Sequence, residues 1–336
     1  MNFWLELVIS LVVMLAVVLT SALVTIYVEL KAGSHMQARI GPYYAGGRWG
    51  WAQPLADAAK FLQKEDLAPA RADRTVYGFA PYVVLMSTLA IFAVIPLGPD
   101  LVAANLDLGA YFLLAISSLS VLGILMAGWS SANKYSLIGG LRAAAQLIAY
   151  ELPLVLAVVA VVIQAGTMSL NGIVEAQQVT LFTVGGAEIA LPFILTGQII
   201  GFGIFMIAAV AELSRIPFDM PIAESELTMG YLTEYSGIRF TMFFLGEYAS
   251  MVGLSAIAAT LYLGGYGAPF LPESMANFAG PGIFFVKVAA LVFFIIWIRF
   301  TWPRLREDQL QSMAWRWLIP LALFNIGLVS IFKVVF

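Results

Sequence analysis

The sequence predicts an all-α polytopic membrane protein with about eight spans. Three observations predict it. Of 336 residues, 61% are hydrophobic and only 11% charged, whereas a soluble domain carries roughly 25% charged residues. The apolar residues fall in runs of about 20, the length needed to cross a bilayer. The basic residues gather in alternate loops between those runs.

The expected spans are about 3–28, 76–97, 108–129, 141–165, 190–212, 239–264, 281–300 and 314–335, in a single membrane domain covering 1–336. The first run, Phe3 to Val28, reads as a span and not as a secretory leader. It has no basic residue before it, is too long for a leader core and has no small-residue cleavage site after it. No repeat between halves stands out, which weakens a transporter built from inverted repeats.

The loops expected at about 29–75, 130–140, 213–238 and 301–313 hold or border fifteen of the 17 Lys and Arg. The exceptions, Lys287 and Lys333, lie inside spans or near their ends. The intervening loops, 98–107, 166–189 and 265–280, have no basic residue and carry Asp100, Asp107, Glu175, Glu188 and Glu273. By the positive-inside rule the basic loops face the cytoplasm. Both termini then lie on the outer side, which requires an even number of spans. Trp4, Trp129, Trp302, Trp315 and Trp317 sit near the expected span ends, where indole rings prefer the headgroup layer.

The outer loops read as short connections, whereas the inner ones are richer. Within 29–75, Leu55, Ala58, Ala59 and Leu62 recur at helical spacing around Asp57 and Lys60, predicting a short amphipathic surface helix over Trp51–Gln63. The loop 213–238 is acidic although it faces the cytoplasm, with Asp219, Glu224, Glu226 and Glu234, and Pro217 and Pro221 interrupt any helix there.

Four further acids lie in or end spans: Glu29, Glu151, Glu212 and Glu247. A charge at the bilayer centre costs about 2.5–3.5 kcal/mol on insertion scales, so such residues are functional candidates. Arg142 and Glu151 are nine residues apart and fall on opposite faces. Arg239 and Glu247 are eight apart, two turns, and direct pairing within a helix needs three or four. The expectation is therefore protonatable sites, not simple ion pairs.

There are no cysteines, and His35 is the one histidine. That excludes disulfides, thiolate zinc sites, cysteine-ligated iron–sulfur clusters and a bis-histidine haem in this chain.

One long segment is idiosyncratic: Ala211-Glu-Leu-Ser-Arg-Ile-Pro-Phe-Asp-Met-Pro-Ile-Ala-Glu-Ser-Glu-Leu227, followed by Thr233-Glu-Tyr-Ser-Gly237 and Gly246-Glu-Tyr248. It resembles the signature loop of the H-type membrane component of the proton-pumping NADH–quinone oxidoreductase, respiratory complex I. Met36-Gln-Ala-Arg-Ile-Gly-Pro42, Gln53-Pro-Leu-Ala-Asp57 with Lys60 and Lys64-Glu-Asp66, Lys134-Tyr135 with Leu141-Arg-Ala-Ala-Ala-Gln146 and Tyr150-Glu-Leu-Pro153, and Pro303-Arg304 with Asp308-Gln-Leu310 resemble the same family in order along the chain.

The resemblance implies a subunit of a proton-translocating NADH:quinone oxidoreductase in the plasma (inner) membrane of a bacterium. Its inner loops would help close a quinone chamber, and it would have no redox centre of its own. Quinone would be the substrate. FMN and iron–sulfur clusters would belong to partner subunits of the hydrophilic arm, and other membrane-arm subunits would flank this one. Carried over by motif, Arg39, Asp57, Lys60, Arg215, Phe218, Asp219 and Glu224 match the chamber. Glu29, Arg142, Tyr150, Glu151, Glu212, Glu226 and Glu247 match the proton path. No residue of this chain is expected to be catalytic by itself, and no metal ligand set is expected.

Two positions depart from the family's pattern: Leu30 stands where it usually has Arg, and Ile222 where it usually has Glu. The competing readings are the homologous subunit of a hydrogenase-type or other ion-pumping complex, an independent secondary transporter, and a plain membrane anchor. The polar material gathered at one face argues against the transporter, and the acids within spans argue against the anchor.

Overall fold

The computed structural model describes residues 3–99, 101–178, 180–184, 187–267 and 273–335; Asp100 lies outside them. The fold is helical apart from one short hairpin. Among the described residues seven helices are long and apolar enough to cross a membrane. They are carried by α1 (Phe3–Met36), α3 (Arg74–Ile91), α4 (Gly109–Ser130), α5 (Lys134–Ala165), α9 (Gly237–Tyr262), α10 (Glu273–Thr301) and the continuous run of α11 (Glu307–Met313), a π-helical turn (Ala314–Leu318) and α12 (Ile319–Val335).

The eighth apolar run is different. The expected span 190–212 is helical only as α7 (Ile199–Glu212). Its 14 residues make a rod of about 21 Å, against about 30 Å of hydrocarbon. The run stays apolar before residue 199, but its backbone does not stay helical. Pro192 opens a turn whose carbonyl accepts from Leu195 N, and Gly197 has φ +112°, a conformation reserved for glycine.

Two helices run past their expected ends. α1 continues through Glu29 and Lys31 to Met36. α5 starts seven residues before the expected 141, where the Asn133 side chain accepts from Tyr135 N at 2.9 Å and caps it. Gly139 and Gly140, in the expected loop 130–140, lie inside this helix and serve close approach: a Cβ on Gly140 would meet Gly128 of α4 at 3.0 Å, and one on Gly139 would meet the backbone of Gly230. Small residues at such crossings are how membrane helices gain van der Waals contact.

The amphipathic helix in the first basic loop is α2 (Gln53–Gln63), opened by Pro54 in its first turn. Its Phe61 packs on Phe240 and Phe244 of α9, with ring centroids 5.5 and 6.5 Å apart. The loop 166–189 is more than a connection. It holds α6 (Leu170–Gln177), capped by Ser169, and a hairpin of β1 (Thr180–Val184) and β2 (Ala187–Ala190), antiparallel with Val184 opposite Ala187. In the loop 213–238 two short turns form, α8 (Glu224–Leu227) and a 3₁₀ turn (Gly230–Leu232).

The main core gathers Tyr150 and Leu154 of α5, Phe205 and Ala208 of α7, Met251, Ile257 and Tyr262 of α9, and Ile295 of α10. A second cluster, Tyr77, Tyr231, Tyr235 and Phe243, pins the loop 213–238 to α3 and α9. There Tyr77 and Tyr235 stack with centroids 4.2 Å apart, and Tyr77 Oη donates to Glu234 O at 2.7 Å. The bundle therefore has a basic end, where the loops 29–75, 213–238 and 301–313 meet, and an opposite end holding α6 and the hairpin.

The chain lacks cysteine, so orientation is open to single-cysteine labelling with an impermeant maleimide on intact cells. Asp107→Cys should react from outside, and Arg48→Cys only after the membrane is dissolved in denaturing detergent. The reverse pattern would invert the topology.

Candidate functional site at the basic end

Arg215 lies just past the end of α7, after Leu213 and Ser214, and is 3% exposed. Its Nη1 donates to Glu29 Oε2 of α1 at 2.6 Å, and its Nε to Glu247 Oε1 of α9 at 2.9 Å. The guanidinium lies 4.5 Å over the Tyr248 ring. Glu29, also buried, takes a second ion pair from Arg299 near the end of α10. Two arginines thus meet two glutamates from α1, α9, α10 and the segment after α7. Removing one member of such a buried group leaves an uncompensated charge, at a cost of about 3–5 kcal/mol.

This corrects the expectation for Glu247 and Glu29. They are ion-paired, but across elements and not along a helix. Glu29 and Arg215 are 186 positions apart in sequence, beyond the reach of any helical spacing rule. Arg239, the in-helix candidate for Glu247, pairs instead with Asp66 at 3.2 Å. Arg142 turns away from Glu151, as its spacing requires, and holds Glu226 at 2.8 Å and Glu307 at 3.4 Å.

Over this network lies a cavity of about 790 Å³ lined by Arg215, Asp219, Glu224, Phe244, Tyr248 and Arg304, among others. Arg304 donates to Asp219 Oδ2 at 2.7 Å and to Ser225 Oγ at 3.2 Å, joining the loop 301–313 to the loop 213–238. Burial raises the Asp219 carboxyl above the usual aspartate range, and the Arg304 guanidinium opposes that rise. Burial likewise pushes the Tyr231 and Tyr235 phenols up, which keeps both neutral and available as donors. One atom of the network is unfinished: Arg215 Nη2 is buried and has no hydrogen-bond partner among the described residues.

The remaining acids are not among the residues that line the cavity. Glu151 on α5 and Glu212 at the end of α7 lie close enough for their charges to repel, and neither takes part in an ion pair among the described residues. The seam between these helices is held by Gln146, whose Nε2 donates to Ala211 O at 2.7 Å and Phe218 O at 2.9 Å. Tyr150 packs against Phe218, centroids 5.3 Å apart, and donates to Leu310 O at 2.9 Å.

The structure brings Arg215, Asp219, Glu224 and Glu247 to one cavity, with Glu29 one ion pair behind. It sets Phe218 behind the wall against Tyr150. It does not bring Arg39, Asp57 or Lys60 there: Lys60 pairs with Asp57 at 3.1 Å on α2, and Arg39 is exposed, donating to Gln37 Oε1. Ile222 does line the cavity, whereas Leu30, 38% exposed, does not. Arg299, Arg304 and Tyr248 belong to the site although nothing in the sequence pattern gave them a role. A charge at the end of an apolar run was the available signal for Arg299. Among the described residues no group of three or more His, Asp or Glu is placed to hold a metal ion.

The sequence model of the NADH dehydrogenase family matches residues 9–330. The chain is 46% identical over 332 residues to the second H-type component of the NADH-quinone oxidoreductase of Syntrophobacter fumaroxidans, covering 96% of this chain and 94% of that one. It is 44% identical to the H-type component of the same enzyme in Dehalococcoides mccartyi strain CBDB1, over 97% of this chain and 86% of that one. With its counterpart in Brevibacillus brevis it shares 46% identity over 96% and 92% of the two chains.

The chain belongs to the H-type membrane component family of NADH-quinone oxidoreductase.

It is accordingly a multi-span membrane subunit of that bacterial respiratory complex, and the site just described lies within it. For this family member, Arg215→Met should sharply lower the amount of assembled protein in membranes, because buried Glu29 and half-buried Glu247 lose their shared cation. Adding Glu247→Gln, which leaves Glu29 matched by Arg299 alone, should recover accumulation, as immunoblots of membranes would show. No recovery in the double variant would mean that Arg215 acts by packing and not by charge.

Proposed function

We propose that the cavity over Arg215 is part of the chamber in which the assembled NADH–quinone oxidoreductase reduces its quinone, and that this chain couples the reduction to proton movement. The observation that carries the reading is the cavity whose carboxylates are held by arginines. Asp219 and Glu247 face it and Glu29 backs it, each paired with an arginine, while Glu151 and Glu212 at the α5–α7 seam take part in no ion pair among the described residues.

Reducing a quinone to a quinol adds two electrons and two protons. Electrons come from partner subunits, which would carry FMN and iron–sulfur clusters. Negative charge arriving in a poorly hydrated cavity is weakly screened. It competes with Glu247 and Glu29 for Arg215, whose Nη2 has no hydrogen-bond partner among the described residues. Carboxylates released from that pairing become better proton acceptors. Glu224, exposed at the cavity wall, and Glu226, held by Arg142, provide the next exchange sites, and Glu212 and Glu151 follow as a coupled pair. Tyr150 and Arg142 order that pair's surroundings. In this scheme Arg39, Asp57 and Lys60, which stand away from the cavity in the isolated chain, face the hydrophilic-arm partners.

Native purification from membranes tests the assignment. Flavin and iron–sulfur subunits should travel with this chain, together with NADH–quinone activity blocked by a chamber inhibitor. A nickel-bearing partner in their place would replace the quinone reading with a hydrogenase-type one. Within the assembled complex, Glu212→Gln should cut coupled turnover by about tenfold or more while leaving the quantity of assembled complex near wild type. Loss of assembly without a change in turnover per complex would assign Glu212 a structural role.

A further inference from the structure

Two lysines escape the basic end, and the structure gives both the same kind of partner. Lys287, in the middle of α10, donates to three main-chain carbonyls: Leu263 O at 2.7 Å, Gly265 O at 2.8 Å and Gly267 O at 2.5 Å. Lys333 near the end of α12 donates to Ile163 O at 2.6 Å and Gln164 O at 3.2 Å, the last carbonyls of α5. Each ammonium meets the negative end of a helix dipole at the end of the bundle opposite the basic loops.

The Lys287 site is the more closed of the two. α9 ends at Tyr262, and the chain then turns through Gly264 (φ +76°) and Gly265 (φ +51°). Two consecutive left-handed residues fold the carbonyls of 263, 265 and 267 toward one point, a conformation open to glycine at little strain. A Cβ on Gly265 would run into the Val174 side chain of α6, so the turn is also wedged from behind. Three oxygens converging on one point within hydrogen-bond distance form a cation cage, and among the described residues no carboxylate shares it.

The cage joins the elements that hold the network at the other end. α9 carries Glu247 and Tyr248, and α10 carries Arg299, twelve residues or about 18 Å from Lys287. Sliding α10 against α9 would separate Arg299 from Glu29 and disturb Arg215 between Glu29 and Glu247. We propose that the Lys287 ammonium is a built-in cation that fixes the height of α10 against α9 and so sets the register of the Arg299–Glu29–Arg215–Glu247 network. Lys287 is a positioning residue, remote from the cavity.

The test uses the assembled complex in native membranes carrying Lys287→Ala, with ethylammonium chloride as probe and tetramethylammonium chloride as control at equal ionic strength. Ethylammonium carries the same three N–H donors and fits the space left by the shortened side chain, whereas tetramethylammonium has no donor. The expected result is a fall of about tenfold in NADH–quinone rate, reversed substantially by ethylammonium and not by the control. Ethylammonium should also raise the melting temperature of the variant by several degrees and leave wild type unchanged. The rate measurement rests on the quinone-reductase reading and the melting measurement does not, so failure of that reading and failure of the cage are distinguishable. Equal effects of the two salts on melting would overturn the proposal. If Lys287→Ala does not accumulate, Lys287→Arg and Lys287→Gln decide it: recovery by Arg with loss in Gln supports a cation, and a Gln variant that melts and turns over as wild type overturns it.

Discussion

Arg215 is the constraint on which the basic end of the molecule depends. A guanidinium shut away from water has to be matched in charge and in hydrogen-bond geometry, and its matches come from α1 and α9, with Arg299 of α10 completing the charge balance on Glu29. That one requirement draws four distant stretches of chain to a point. It also explains why α1 continues unbroken past the expected span end, since Glu29 must be delivered on a rigid element. The cavity lies directly against this knot, so any charge entering it acts on groups whose balance is already fixed within the chain.

The spans were legible because hydropathy reports on lipid, and lipid acts on each helix separately. The basic loops were legible for a similar reason, each charge being placed by its own cost of crossing. What escaped the sequence was whatever depends on two elements at once. The stretch 134–140 was expected as loop, yet Gly139 and Gly140 sit inside α5, where Gly128 and Gly230 approach them. The run 190–212 read as one span because hydropathy does not register the turn at Pro192. Glu247 read as lacking an ion partner because helical spacing sees only partners on its own helix. The motif around Arg215 announced a family, but nothing local said that Glu29 and Arg299 would meet there.

The same division applies to the lysines. By composition Lys287 and Lys333 were exceptions to a rule about sidedness. In the fold each meets main-chain carbonyls at or just past the end of a helix, which that helix leaves without a partner of its own. Sidedness and helix termination are separate demands, and a long flexible ammonium side chain satisfies the second wherever it falls. The two ends of the bundle therefore use basic residues differently: arginines fork between carboxylates at one end, and lysines cap carbonyls at the other.

The fourteen-residue α7 has a consequence for biogenesis. A helix of about 21 Å is shorter than the roughly 30 Å of hydrocarbon, so the apolar turn before it has to make up the length. The segment before it also leaves backbone groups that a lipid environment cannot satisfy; they find partners in Tyr262 O, which accepts from Ile194 N, and Gln177 Oε1, which accepts from Phe193 N. Tyr262 ends α9 and is synthesised after α7. The turn before α7 is thus completed in part by the end of a helix that the ribosome makes later, so its backbone is satisfied only once α9 has formed.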